Sequence, residues 1–150
     1  SRGRISLAST DPFSAPRIHA NYLAERDDLE RMVAAVKMTR EILAQRAFKP
    51  YAGDEILPGA AVQDDAGIVD FIRRKAESIY HPVGTCKMGQ DAGAVVDDEL
   101  RVRGIAGLRV VDASIMPTLV GGNTNAPVIM IAERASDLIL KATGSARRAA

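Results

Sequence analysis

The side chains able to do chemistry gather in two stretches of this sequence. The first is Tyr80-His81-Pro82-Val83-Gly84-Thr85-Cys86-Lys87-Met88-Gly89. Proline forces an extended backbone on the residue before it, and Gly84 and Gly89 permit tight bends, so His81 sits on a defined backbone rather than on a mobile loop. That is what a general base requires. The second stretch is Gly121-Gly122-Asn123-Thr124-Asn125-Ala126-Pro127. Its glycines let a ligand approach the backbone, its carboxamides offer donors and acceptors, and a helix beginning there directs free N–H groups and a positive dipole end outward. The plainer alternative is that Asn125 caps that helix after a Gly121-Gly122 turn.

Other combinations are weaker. His19, in Arg17-Ile18-His19-Ala20-Asn21, has no acid or thiol close in sequence and reads as a surface or structural residue. Ser114 follows Asp112, but no G-x-S-x-G elbow surrounds it, which argues against a hydrolase triad. His81 and Cys86 lack a second pair of suitable spacing, so no metal site is expected. Cys86 as a nucleophile would need a lowered pKa, for which Lys87 is the only adjacent support. Neither G-x-G-x-x-G nor G-x-x-x-x-G-K-[ST] occurs, so the usual dinucleotide pyrophosphate cradle is not in this stretch of chain.

The elements that must position these residues follow from periodicity. Ile5 and Leu7 alternate with Arg4 and Ser6, the pattern of a half-buried strand, and Arg17 to Tyr22 reads as a second short extended piece. Asp27 and Glu30 have capping-box spacing, and Leu29, Met32, Val33, Val36 and Leu43 recur at helical intervals to about Ala47. Asp64 or Asp65 can cap a second helix running to about Ser78, with Ile68, Ile72 and Ile79 marking an apolar stripe. Val95-Val96 and Leu100 to Val102 read as short strands, and Gly107 to Asp112 as a stronger one ending in an acid. The last helix begins near Pro127 and ends about Lys141, before Gly144. The sum is an α+β fold, a mixed or antiparallel sheet with flanking helices, followed by a solvated tail over 143–150. A strand ending in an acid, then a Gly-rich turn into a helix N-terminus, is also an arrangement found at nucleotide-cofactor sites.

Composition narrows the function classes. The 150 residues carry 20 Lys+Arg against 19 Asp+Glu, a net charge of +1, which lacks the basic excess of nucleic-acid binders. The apolar share of 47% is too high for a disordered chain. One cysteine forbids an intrachain disulfide and is compatible with a cytoplasmic protein. With no Trp, 3 Phe and 3 Tyr, there is little aromatic surface for stacking bases or caging a quaternary ammonium group. The 20 uncharged residues from Ala113 to Ala132 are long enough to cross a bilayer, but Pro117, Gly121, Gly122, Asn123, Thr124, Asn125 and Pro127 suit a buried protein site better. A strand as early as residue 4 needs partners, which leads to the expectation of an excised or cleaved C-terminal piece.

Four motifs in fixed order carry a likeness: His81-Pro82-Val83-Gly84-Thr85-Cys86-Lys87-Met88-Gly89; Val95-Val96-Asp97; Leu100 through Pro117; and Gly122-Asn123-Thr124-Asn125-Ala126-Pro127. Together with Ser1 to Ile5 and the Asp28 to Ile42 helix, they resemble the C-terminal region of the glucose-methanol-choline (GMC) oxidoreductases, most nearly the choline and alcohol dehydrogenase branch, over residues 1–142. The resemblance implies a substrate domain whose last strand and helix return to an FAD-binding domain that is not within these residues. It implies FAD-dependent oxidation of a primary or secondary alcohol to an aldehyde or ketone. His81 would help remove the hydroxyl proton while hydride passes to the flavin, with Asn123 completing the catalytic pair. Asp112 and Ala113 would lie beside the ribityl-pyrophosphate part of FAD, and Asn123, Thr124, Asn125 and Pro127 near the flavin ring. Hydride leaves more readily from an alkoxide-like carbon, so a base and an oxygen-holding donor belong together. The implied partners are a small alcohol and the rest of the same protein, with the electron acceptor and a peripheral membrane association left open. A stand-alone α+β binding module that keeps the motif only as scaffold is the alternative.

Overall fold

The computed structural model describes residues 1–144, so the expected tail is followed only as far as Gly144 and its residues 145–150 lie outside the description. The chain forms two compact units, Ser1–Glu77 and Ser78–Ala150.

In the first unit, strands β1 (Arg4–Ser6) and β2 (Arg17–His19) pair antiparallel with Ile5 opposite Ile18. Gly3 makes the pairing feasible, because a Cβ there would stand 2.5 Å from the His19 carbonyl oxygen. The alternation of Ile5 and Leu7 predicts a half-buried strand, yet every residue of both strands is exposed. The core of this unit lies elsewhere, between two helices. Helix α1 (Arg26–Leu43) and helix α2 (Asp65–Lys75) bury Val33, Ile68 and Ile72 together, with Leu29, Val36, Val62 and Phe71 packed around them.

The helix ends differ from expectation. Helix α1 starts after an extended Glu25 with no side-chain cap, so Asp27 and Glu30 fall inside it, where Asp27 and Asp28 meet the positive dipole end. It stops at Leu43 rather than near Ala47, because the following backbone tightens into successive short turns, Gln45 N–H to Ile42 carbonyl and Phe48 N–H to Gln45 carbonyl. Arg40 ties the next loop down, donating to both carboxylate oxygens of Glu55 and, at 2.8 Å, to the Val62 carbonyl. Helix α2 is capped by Asp64, whose Oδ1 accepts from Gly67 N–H at 3.2 Å. It ends at Lys75, short of Ser78, because Ala76 turns extended, and Ile79 lies outside it and is exposed.

The second unit has little regular structure before its final helix. A core of Val96, Leu100, Ile115, Met116, Ile131 and Ala135 is surrounded by chain held in single bridges, Met88 with Val96, Val96 with Val102, and Arg101 with Arg109. The strand expected over Gly107–Asp112 is one such bridge, flanked by Val102 N–H to Leu108 carbonyl and Val110 N–H to Leu100 carbonyl. Left-handed turns at Gly104 and Gly107 and the turn at Asp112 leave too few consecutive residues for a ladder. Residues Ala113–Ile115 form a single 3-10 turn, and helix α3 runs Asn125–Ala142, two residues earlier than Pro127 suggests. The uncharged stretch from Ala113 to Ala132 is therefore a turn, a loop and the start of α3. No helix among the described residues is long and apolar enough to cross a membrane.

Candidate active site

Every residue that the sequence marks as chemical, apart from His19, lies in the second unit. His19 ends the exposed strand β2. His81 follows Tyr80, a non-glycine residue in the left-handed region at φ 60°, whose N–H is held by the Ser78 hydroxyl at 3.0 Å. Beyond it Gly84, at φ 88°, brings the chain against the 3-10 turn, where a Cβ would meet the Met116 carbonyl oxygen at 3.3 Å. Two backbone bonds then fasten the segment: Cys86 N–H donates to the Ser114 carbonyl at 3.0 Å, and Met88 N–H to the Ile115 carbonyl at 2.7 Å. The loop bearing the histidine is thus fixed by backbone geometry.

The half-buried His81 ring makes one direct contact with the second motif, Nδ1 to Thr124 Oγ1 at 2.9 Å. Thr124 is the one buried polar residue among those described, 8% exposed. It stands at the N-cap of α3 but makes no side-chain cap bond, and its backbone is already helical, φ −84° and ψ −8°. Capping hydroxyls usually accept from the second or third helical N–H. Pro127 at the third helical position has no N–H, and the helical backbone of Thr124 is not the extended one of a capping residue; its hydroxyl instead meets His81. Asn123 and Asn125, one residue either side of Thr124, are exposed, and Pro127 is half-buried in the first turn. Asn125 opens the helix and is not its cap.

Asp112 and Ala113 start the 3-10 turn. Asp112 Oδ1 accepts from Ser114 N–H at 2.7 Å, which fixes the carboxylate while leaving the residue exposed, and Ala113 is half-buried against the core. The structure joins His81 directly to Thr124, whose sequence neighbours Asn123 and Asn125 are exposed, and fastens the turn after Asp112 to residues 86–88. Cys86 is half-buried and free. Among the described residues no three His, Cys, Asp or Glu side chains are grouped so as to hold a metal ion. The residue pairing that sequence reasoning missed is His81 with Thr124, which are 43 positions apart. Its one local signal is a threonine preceding a helix whose third position is proline.

The donor set suits a flavin cofactor. The uncapped start of α3 offers N–H groups and a positive end to a ring that gains negative charge on reduction. A carboxylate has more lone pairs than the one Asp112 gives to Ser114 N–H, and such lone pairs accept from hydroxyl groups.

Comparison with known proteins agrees in kind. A family model described as GMC oxidoreductase matches residues 1–132. The chain is 52% identical over 141 residues to "Alcohol dehydrogenase (acceptor)" of Pseudomonas putida, covering 94% of this chain and 26% of that protein. It is 54% identical over 139 residues to "Oxygen-dependent choline dehydrogenase" of Acinetobacter baumannii, covering 93% and 25%. Among solved structures it resembles an FAD-dependent oxidoreductase from Chaetomium thermophilum, with a TM-score of 0.90 at 31% identity over 96% of this chain and 25% of that one. It also resembles pyridoxine 4-oxidase from Mesorbium loti, with a TM-score of 0.83 at 36% identity over 89% of this chain and 26% of that one. The chain therefore spans about a quarter of the length of the relatives it matches.

Proposed function

This chain belongs to the GMC oxidoreductases, and from that premise we propose that it supplies the proton-handling side of a site that oxidises an alcohol to an aldehyde or ketone with FAD. The observation that carries the reading is the half-buried His81, anchored through one ring nitrogen on buried Thr124, the residue that follows exposed Asn123. When bound, FAD supplies the hydride acceptor. His81 takes the hydroxyl proton of the alcohol at an unprotonated ring nitrogen. Asn123 donates to the same oxygen and holds it without titrating. Asp112 and Ala113 would hold the ribityl-pyrophosphate portion, and Asn125, Pro127 and the start of α3 the ring. The remainder of the cofactor site, and the partner that completes it, would be a flavin-binding portion of the same protein, corresponding to the part of the relatives outside the match.

The substrate class is a small alcohol. Relatives named for choline and for alcohols support that class. A cage for the choline trimethylammonium group would draw on aromatic residues that this chain has in small number. The test is alcohol oxidation by the flavin-loaded protein. His81→Ala lowers kcat/KM about a hundredfold or more while the flavin absorbance stays. An unchanged rate would favour a scaffold that keeps the motif without the chemistry.

A further inference from the structure

The contact between His81 and Thr124 has a direction that the proposed reaction determines, and this inference rests on that reading of His81. We infer that Thr124 is a positioning residue whose hydroxyl oxygen accepts a hydrogen bond from His81 Nδ1–H, holding the ring as the Nδ1–H tautomer and leaving Nε2 bare toward the alcohol. A neutral imidazole carries one donor and one acceptor nitrogen, and the partner of one nitrogen sets the state of the other. Nδ1 is the nitrogen that faces Thr124, at 2.9 Å. If the threonine hydroxyl donated to it, Nε2 would carry the hydrogen, and His81 could take a proton only at the nitrogen already covered by Thr124.

In the inferred direction the contact survives the reaction. The proton leaves the alcohol oxygen and arrives at Nε2. The resulting imidazolium carries N–H on both nitrogens, and the Thr124 oxygen goes on accepting from Nδ1–H. No hydrogen bond has to be remade during the transfer, and the acceptor oxygen favours the charge that forms. Two features of the chain keep Thr124 available for this. The residue is buried, so solvent competes little for its oxygen. Its hydroxyl makes no side-chain cap bond, its backbone is helical rather than extended, and Pro127 offers no N–H at the third helical position.

The tautomer is directly readable by nuclear magnetic resonance of protein labelled with 15N-histidine, since each ring nitrogen shifts strongly with its own protonation. His81→Gln assigns the His81 signals by their loss. Once raised pH has left the ring a single proton, His81 in the wild-type protein shows the Nδ1–H pattern, a protonated-type Nδ1 shift and an unprotonated-type Nε2 shift. Thr124→Val moves the ring to the Nε2–H tautomer that a free imidazole prefers, and Thr124→Ser keeps the Nδ1–H form. In the flavin-loaded protein, Thr124→Val also lowers kcat about tenfold, and Thr124→Ser recovers most of it. An Nε2–H pattern in the wild type overturns the inference, and so does an Nδ1–H pattern that persists in Thr124→Val. The wild-type spectrum decides even where a variant fails to fold. The spectrum reads Thr124 independently of activity. A His81→Ala protein with full alcohol oxidation overturns the reading of His81 itself.

Discussion

The first unit holds its chain by regular structure, and the second holds it by particular backbone contacts. In residues 1–77, helices α1 and α2 face each other through Val33, Ile68 and Ile72, which buries apolar surface without requiring any one loop conformation. From Ser78 onward, the backbone before α3 is fixed by left-handed glycines, single bridges and carbonyls such as those of Ser114 and Ile115. All the residues assigned to chemistry lie in this second part. Packing tolerates imprecision in the backbone, but a base and its anchor do not, since an ångström of drift costs the geometry a proton transfer needs. The irregular unit is therefore where a histidine and its threonine anchor, 43 residues apart in sequence, can be held together.

The contrast can be broken or sharpened by substitutions matched to each unit. The largest stability effect is expected in the first. Ile68 is fully buried, and Ile68→Ala removes core volume that the helix pair cannot refill, costing about 2–5 kcal/mol in urea unfolding. A loss under about 1 kcal/mol would mean that the helix pair is not the core of that unit. Next is Gly84→Ala in the second unit. A φ of 88° is left-handed and the new Cβ would press on the Met116 carbonyl oxygen, so about 1–2 kcal/mol of stability is lost. The more telling readout is the His81 Nδ1–H signal, which broadens or shifts as the loop leaves the 3-10 turn. An unmoved signal would show that His81 does not depend on that backbone seam.

The smallest effect is that of acid. Asp97 is held below the ordinary carboxylate range first by the Arg101 backbone N–H, and further by the Arg101 side chain and the Glu99 N–H. Its folded pKa is depressed, so its contribution is complete above the unfolded value of about 3.9 and disappears as pH falls through the lower folded value. Asp97→Asn removes that dependence. Urea midpoints at neutral pH and at about pH 3 should therefore differ less in the variant than in the wild type. An equal difference in both would assign the acid sensitivity elsewhere.

Much of this was legible in the sequence, unevenly. Helices α1 and α2 are marked by their apolar spacing, α3 by Pro127 near its start and Gly144 beyond its end, and the α2 cap by the Asp64-Asp65 pair. Helix ends were less legible, since the turn after Leu43 and the extended Ala76 depend on bonds that no local pattern encodes. The run Leu108-Arg109-Val110-Val111 has strand character, yet turns at Gly104, Gly107 and Asp112 reduce it to a bridge. Ile5 and Leu7 alternate like a buried strand and lie exposed, because alternation says which side chains share a face but not whether anything in this chain covers that face. At the site, His81 and the 123–127 motif stand out by residue type, and the resemblance supplied their roles. What neither conveyed was that the Thr124 hydroxyl meets the histidine, a contact across 43 positions of sequence.

The central claim is that His81 is the base, and it is tested most directly by the pH dependence of alcohol oxidation in flavin-loaded wild-type and His81→Ala protein from about pH 6 to 10. If His81 removes the hydroxyl proton, the deficit of the variant is greatest at low pH and shrinks steadily as rising hydroxide and alkoxide take over the task. A deficit of constant size across the range, or none, would contradict it.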